Sequence, residues 1–382
     1  MSSDAFYLLQ NAMDSGGSQA GFDFLLNRFK QDKEYHSLFE ARLMKQRHEL
    51  GLPLIEIESL SELPGKKQKA YEQAFIDAAR EVGDLLLHDG DILRAWPYFR
   101  AIGDTESVAA AIDAFEPQKG EDQVEQIIEI AFFERVHPQR GFELILDQLG
   151  ICRAITSFGQ YPGHKGREDC ICLLVRTLHN DLRRTLTKVI EQKGEQISKT
   201  KSIDEMTLGR DWLFGKNHYY IDASHLASVV RFSTELTNPR SLGLALELAK
   251  FGERLPSEFQ TQGDPPFENF YKDYGAYLRA LLGGDVEDGL SHFRGKLPPA
   301  DQIPEDDRSV QVFVSLLARL KRYGEALEIS LKYLREIDPR QLTCPSIPQL
   351  CQLAGELEQL SEVAREQKDL LSFAAAQFQT KH

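Results

Sequence analysis

The 382-residue chain lacks the features that define several common classes of protein. Its five cysteines are odd in number and scattered, whereas secreted disulfide-rich domains are dense in cysteine and usually hold an even number. No uninterrupted apolar run approaches the roughly 20 residues that a transmembrane helix needs. We therefore expect reduced thiols, no disulfide framework and no membrane-spanning segment.

The chain also lacks an excess of positive charge. It carries 59 acidic residues against 45 basic ones, which gives a formal net charge of −14. Binding to a nucleic-acid backbone requires clustered lysines and arginines that displace counterions. The densest basic group, between Arg176 and Lys188, lies on the polar side of a predicted helix and is interpreted as its solvated face. We therefore expect no nucleic-acid partner.

A targeting signal is likewise missing from the first residues. Met1–Ala5 has no basic stretch followed by an apolar one, which is the pattern of a signal peptide. Together with the sparse cysteines, this favours a cytoplasmic location.

Alternating apolar and polar residues, the pattern of half-buried strands, are nearly absent. Apolar residues instead recur at intervals of three and four, which places them on one face of an α-helix. The pattern is clearest between Lys66 and His88 and between Arg167 and Gln192. The sequence therefore predicts an all-α fold.

The C-terminal half twice contains a long apolar helix, a short break and a second helix that opens on a small residue. In the first copy the break is Gly283–Asp285 and the small residue is Gly289; in the second the break is Lys321–Tyr323 and the small residue is Ala326. The two small residues are 37 positions apart, which is within the period range of stacked helical-hairpin repeats.

A small residue at this point lets two helix axes approach to roughly 8–10 Å. We therefore expect a large side chain at Ala326 to be destabilising. A large side chain at Ser330, one turn later, is expected to be milder.

The second copy resembles the second helix of a tetratricopeptide repeat. Tyr323-Gly-Glu-Ala-Leu327 carries the resemblance, with Leu334 and Asp338-Pro339 behind it. The segment Asp91–Phe99 shares the spacing of Asp, small and aromatic residues found in the first copy, although Pro97 departs from the family pattern. The resemblance implies an α-α superhelix of stacked helical hairpins that binds a protein or peptide partner on a concave face.

The organisation along the chain changes in its middle. Residues 158–166 hold three glycines and a proline, which is typical of a loop, and the helix that follows is longer than one repeat needs. We predict four segments: a flexible N-terminal segment over 1–20, helical hairpins over 21–157, an irregular insertion with one long helix over 158–221, and tetratricopeptide-like hairpins over 222–382.

Catalytic signatures are missing, but one cluster of side chains has the chemistry of metal ligands. The sequence contains no nucleophile elbow, no His-Glu-x-x-His segment and no P-loop. The cluster comprises His164, His179, His218, Asp222 and His225. Asp222 and His225, three residues apart, face the same side of a helix, and the preceding long helix could supply His179. His179, Asp222 and His225 are candidate ligands of a metal ion. The favoured alternative is that the two candidate histidines are packed in the core.

Aromatic residues form a stripe at helical spacing between residues 267 and 277. Such a stripe normally packs in the core between helices. Five aromatics exceed what one helix contact usually absorbs, and tyrosines with a solvated hydroxyl are favoured at binding surfaces. The candidate binding residues are therefore Phe270, Tyr271, Tyr274 and Tyr277.

The favoured function is a non-catalytic helical-repeat scaffold that binds a protein or peptide partner and needs no cofactor. One alternative is a metal-assisted hydrolase with its site at the central His and Asp residues. The other is a small-ligand sensor that uses the aromatic helix.

Overall fold

The computed structural model describes residues 3–55, 65–117, 123–161, 163–198, 201–215, 220–299 and 306–380. Within these ranges the chain is helical and contains no strand. No helix among them is long and apolar enough to cross a lipid bilayer. The all-α prediction is confirmed, and the near absence of period-two patterning explains why no sheet forms in the described part.

The chain divides into two compact units. The first comprises Met1–Gly150 with Tyr161–Arg167, and the second comprises Ile151–Gln160 with Glu168–His382. The second unit therefore contains the candidate metal ligands and the aromatic stripe. The division into helical hairpins over 21–157, an irregular insertion over 158–221 and tetratricopeptide-like hairpins over 222–382 stays a prediction.

The first unit is built from helices that pack against their neighbours in sequence. Single π-helical turns follow its last two helices. The helices of this unit are α1 (Ser3–Gln31), α2 (Tyr35–Glu49), α3 (Gly65–His88), α4 (Ile92–Ile102), α5 (Glu106–Asp113), α6 (Gln123–Ile128) and α7 (Pro138–Leu144).

The packing of α3 against α4 depends on one glycine. A Cβ atom added to Gly83 would lie 2.5 Å from the ring of Phe99, which is fully buried. Asp91 caps α4 by accepting a backbone N–H three residues later, and Gly103 ends the helix in the left-handed conformation. Pro97 lies inside α4, so its departure from the repeat pattern does not prevent a helix.

The N-terminal segment is helical from Ser3, where α1 begins. The flexibility that the composition of residues 1–20 predicts stays a prediction. Gly17, with φ of 70°, interrupts the helical geometry and marks a kink. Phe6 and Tyr7 are 68% and 67% exposed. The leucines, alanines and glutamines of this stretch are good helix formers, which outweighs its serines and glycines.

The second unit continues the series of helices. The long helix predicted over 167–192 is confirmed, and so is the cap of the next long helix at Asp222. That helix ends at Phe232 rather than at Leu236, because a 3₁₀ turn follows. The helices are α8 (Gly150–Gly159), α9 (Arg167–Gln192), α10 (Ile203–Thr207), α11 (Ala223–Phe232), α12 (Pro239–Glu253), α13 (Phe270–Leu281), α14 (Val286–Arg294), α15 (Arg308–Arg319), α16 (Tyr323–Tyr333), α17 (Ile347–Ala354), α18 (Leu357–Glu366) and α19 (Leu370–Thr380).

The two copies of the recurring pattern form two hairpins, α13 with α14 and α15 with α16. A Cβ atom added to Gly289 would lie 2.8 Å from the Ala280 Cβ, so the small residue marks a close helix contact as predicted. Ala326 is fully buried. Ser330 is also buried, at 1% exposure, so the structure gives no reason to expect a milder effect there. One helical turn separates these two residues and keeps both on the buried face.

Gly289→Ala is expected to lower the free energy of unfolding by about 1–3 kcal/mol, because the added methyl group overpacks the contact between α13 and α14. Gly324→Ala in α16 is the matched control, since nothing lies within 4 Å of its added Cβ atom. The control is expected to be neutral or to stabilise by up to about 1 kcal/mol. Urea denaturation followed by circular dichroism measures the free energy of unfolding of both variants. Equal stability of the two variants would contradict the close contact.

Candidate functional site

The candidate metal ligands form no ligand group in the structure. His179, on α9, is 3% exposed and places its Nε2 atom 3.0 Å from Glu247 Oε2 on α12. The Asp222 carboxylate caps α11 by accepting two backbone N–H groups, one of them from His225 at 3.1 Å. Throughout the described residues, no three His, Cys, Asp or Glu side chains are placed to hold a metal ion. His218 lies outside the described residues.

Glu247 is the partner of His179 that sequence reasoning missed. Its Oε2 atom also accepts the Ile203 backbone N–H at 2.7 Å, so one carboxylate joins α9, α10 and α12. Burial raises the pKa of Glu247, but its hydrogen bonds with His179 and Ile203 outweigh burial and hold the pKa below its usual value. Glu247 lies 68 positions from His179, and the sequence around it is typical of a solvated helix face. No local pattern therefore predicts the pairing of Glu247 with His179.

The aromatic stripe is buried. Its members have exposed fractions of at most 9%: Phe267, Phe270, Tyr271, Tyr274 and Tyr277. Phe267 stacks on Tyr274 with ring centroids 4.0 Å apart and planes 5° apart. Tyr271 packs on Gly252 of α12 so closely that an added Cβ atom would lie 2.4 Å from the ring. Most of the stripe therefore lies in the core between helices, and only its edges are available to a ligand.

Two adjoining chambers, each with a volume of about 320 Å³, lie along these edges. Three residues line both chambers and form their shared wall: Phe267, Val312 and Thr343. The first chamber is completed by residues of α11, α13, α15 and the loop before α13, namely Arg231, Gly263, Asp264, Pro265, Phe270, Tyr274 and Arg308. The second is completed by Thr234, Glu235, Tyr277, Ser315 and Arg319. The two chambers together are called the aromatic cleft.

Each tyrosine of the cleft has one arginine close enough to act on its pKa, Arg231 for Tyr274 and Arg319 for Tyr277. Burial raises the pKa of Tyr274 to about 12, although Arg231 partly offsets it, and burial also raises the pKa of Tyr277. Both phenols therefore keep their protons at neutral pH. A protonated phenol carries an O–H group that can donate a hydrogen bond.

The turn after α11, which lines the second chamber, is held by side chains from two other helices. Arg319 on α15 donates to the carbonyl oxygens of Thr234 and Leu236. Glu168 on α9 accepts the N–H groups of the next two residues at 2.6 and 2.9 Å. Burial raises the pKa of Glu168, but these hydrogen bonds hold it below its usual value. Irregular backbone needs such partners, so long-range contacts fix this wall of the cleft.

The loop that carries Phe267 is anchored by a buried carboxylate. Asp273 on α13 is fully buried, accepts a hydrogen bond from Lys296 at 2.7 Å and pairs with His292 at 2.7 Å. Lys296 also donates to the Pro266 carbonyl oxygen at 2.5 Å. Burial lowers the pKa of Lys296, but its carboxylate partners raise it above its usual value. The charged Lys296 therefore ties the residue next to Phe267 to α13.

Neither a scan against protein-family models nor searches of the curated proteins and of the solved structures found a match. The geometry of the cleft is therefore the guide to its chemistry. No His or Cys side chain lines either chamber within the described part of the chain. The lining combines hydrogen-bond donors with aromatic surface, which is chemistry suited to binding.

Lys296→Met is expected to destabilise the second unit, because it leaves the Asp273 carboxylate buried with one partner fewer. Removing one partner of a buried ion pair costs roughly 3–5 kcal/mol, and the partial exposure of Lys296 places the loss at the lower end. Arg294→Met is the control, because the Arg294–Glu325 pair is exposed and such pairs contribute less than about 1 kcal/mol. Chemical denaturation measures both, and losses of equal size would show that Asp273 is not the anchor.

Protein stability is expected to depend on the ionisation of Glu247. Because its folded-state pKa is lowered, its contribution is present above the usual value of 4.5 and is lost as the pH falls through the folded-state pKa. Glu247→Gln should therefore lower the melting temperature near neutral pH and flatten its decline below about pH 5. The exposed Glu253→Gln on the same helix is the control. A parallel acid decline in all three proteins would refute the role of Glu247.

Proposed function

We propose that the protein is a non-catalytic scaffold of stacked helical hairpins whose aromatic cleft binds an extended segment of a protein or peptide partner. The observation that supports this best is the pair of adjoining chambers along α13 and α15. Helices α13 and α15 belong to successive hairpins. The two chambers share the wall formed by Phe267, Val312 and Thr343.

The size of the chambers favours side chains of a longer chain over one compact ligand. Each volume of about 320 Å³ is at the lower end of the range of about 300–1,000 Å³ for small-molecule sites. Recognition of an extended peptide combines separate pockets for individual side chains with polar groups that fix the backbone. Two small chambers with a common wall provide such pockets.

The cleft also offers both kinds of polar group that a peptide backbone needs. Tyr274 and Tyr277 retain O–H donors. Thr343 donates its N–H and its hydroxyl to Gln311 Oε1 at 2.6 and 2.7 Å, so its hydroxyl oxygen remains an acceptor. A backbone segment presents alternating N–H and C=O groups, which match this set.

The packing order of the second unit supports the stacked arrangement. Helices α13 to α19 contact their neighbours in sequence, which is how helical hairpins pack in a repeat protein. We infer from this packing order that the helices form an α-α superhelix of tetratricopeptide-like hairpins.

The alternative functions are less well supported. A metal-assisted hydrolase requires His179, Asp222 and His225 to act together. The His179 side chain is hydrogen-bonded to Glu247 instead, and the Asp222 side chain caps α11. A small-ligand sensor fits one chamber alone and leaves the second unexplained.

Filling the shared wall tests the proposal. Peptides are selected from a random display library against the wild-type protein, and their affinities are measured by fluorescence anisotropy. Val312→Trp is expected to weaken their binding at least tenfold, because the indole ring would occupy space in both chambers. Leu208→Trp is the control, since it adds the same ring at a position that is 78% exposed and does not line the cleft.

Selected peptides that bind Val312→Trp as tightly as the wild type would place the binding surface elsewhere. A library that yields no binder at all would overturn the proposed function. The circular dichroism spectra and melting temperatures of both variants show whether a lost interaction reflects lost folding.

A further inference from the structure

Among the described residues, Arg231 differs from the other arginines of the cleft in having neither a carboxylate nor a backbone carbonyl group as a partner. Arg308 makes hydrogen bonds to Asp306 at 2.6 to 2.9 Å, and Arg319 donates to two backbone carbonyl oxygens. Arg231 lies over the Phe270 ring and lines the same chamber as Tyr274. In a chain with 59 acidic residues, an arginine without a carboxylate at an aromatic-lined chamber marks a place for an anion from outside.

We propose that the first chamber binds the side-chain carboxylate of an aspartate or glutamate within the extended partner segment, and that Arg231 and Tyr274 hold it. This inference depends on the proposed function, because it specifies the chemistry of the same partner.

Arg231 is exposed and lies over an aromatic ring at the first chamber. Its guanidinium carbon lies 5.6 Å from the centroid of the Phe270 ring, and Tyr274 lines the same chamber. A guanidinium group has five N–H donors in a planar fork that matches the two oxygens of a carboxylate. The contact with Phe270 leaves N–H donors of this group for a ligand.

Tyr274 supplies a further donor at the same place. Its proton is retained, because burial raises the pKa of Tyr274 to about 12. No acceptor for this proton is found within the described ranges. A carboxylate beside Arg231 would accept the Tyr274 O–H, which places a charged donor and a neutral donor on one anion.

Other ligand charges fit less well. A cationic side chain would meet Arg231 in the first chamber, because Asp264, the carboxylate in the lining, is paired with Arg308 at 3.6 Å. A phosphate dianion calls for a second free cation, but Arg308 is already engaged by Asp306. A terminal carboxylate would end the chain in the first chamber and leave the second unused. An internal carboxylate side chain satisfies Arg231 and lets the segment continue past Phe267.

The experiment uses synthetic fluorescent peptides taken from the library selection on the full-length protein. In each peptide that contains an Asp or Glu, this residue is replaced by Asn or Gln, and in a further set by phosphoserine. Amidated and free C-termini are compared in parallel. Each peptide is titrated with the wild type, Arg231→Gln, Arg231→Lys and the exposed control Arg240→Gln.

The expected result is a loss of at least tenfold in affinity when the acidic residue is neutralised, with the same loss for Arg231→Gln. The two changes together should cost no more than either alone, because they remove the same interaction. Arg231→Lys should recover part of the affinity, since it keeps the charge but lacks the planar fork. Arg240→Gln and C-terminal amidation should have no effect.

The inference would be overturned by undiminished binding of the Asn and Gln peptides, by additive losses in the combined variant, or by tighter binding of the phosphoserine peptides through Arg231. Loss of binding on amidation would assign the anion to a chain terminus and also contradict it. If the selected peptides show no acidic preference but still lose affinity to Val312→Trp, the proposed function stands and only the inference about charge fails.

Discussion

The buried carboxylate of Asp273 is the constraint on which the aromatic cleft depends. A carboxylate with no exposed surface is unfavourable unless charged and polar partners surround it. Lys296, His292 and the Asn269 N–H are those partners. Lys296 also donates a hydrogen bond to the Pro266 carbonyl oxygen. The same lysine that neutralises Asp273 therefore holds the loop that positions Phe267.

Charged side chains on regular helices also fix the opposite wall. Glu168 and Arg319 complete the hydrogen bonds of the turn after α11, one through backbone N–H groups and the other through carbonyl oxygens. The turn after α11 is therefore tied by side-chain hydrogen bonds to two regular helices. A site ordered in advance loses less conformational entropy when a ligand binds, which favours recognition by a small number of contacts.

The sequence predicts the parts of this structure that depend on neighbouring residues. Three- and four-residue apolar spacing correctly predicts α9, the cap at Asp222 follows from its own side chain, and the aromatic spacing points to α13. The pairing of Glu247 with His179 spans 68 positions and leaves no local pattern. The cleft could not be predicted for the same reason, since Phe267, Val312 and Thr343 come from a loop, a helix and another loop.

Phe267 contributes more than apolar surface, because its ring belongs to both chambers and is held by stacking on Tyr274 at 4.0 Å. In the proposed binding mode, a fixed ring between the two chambers would set how far apart two side chains of a bound segment must lie. The cleft would thus measure separation along a partner chain as well as residue type. Two sequences with identical composition but different order would then be distinguished by a single phenyl ring.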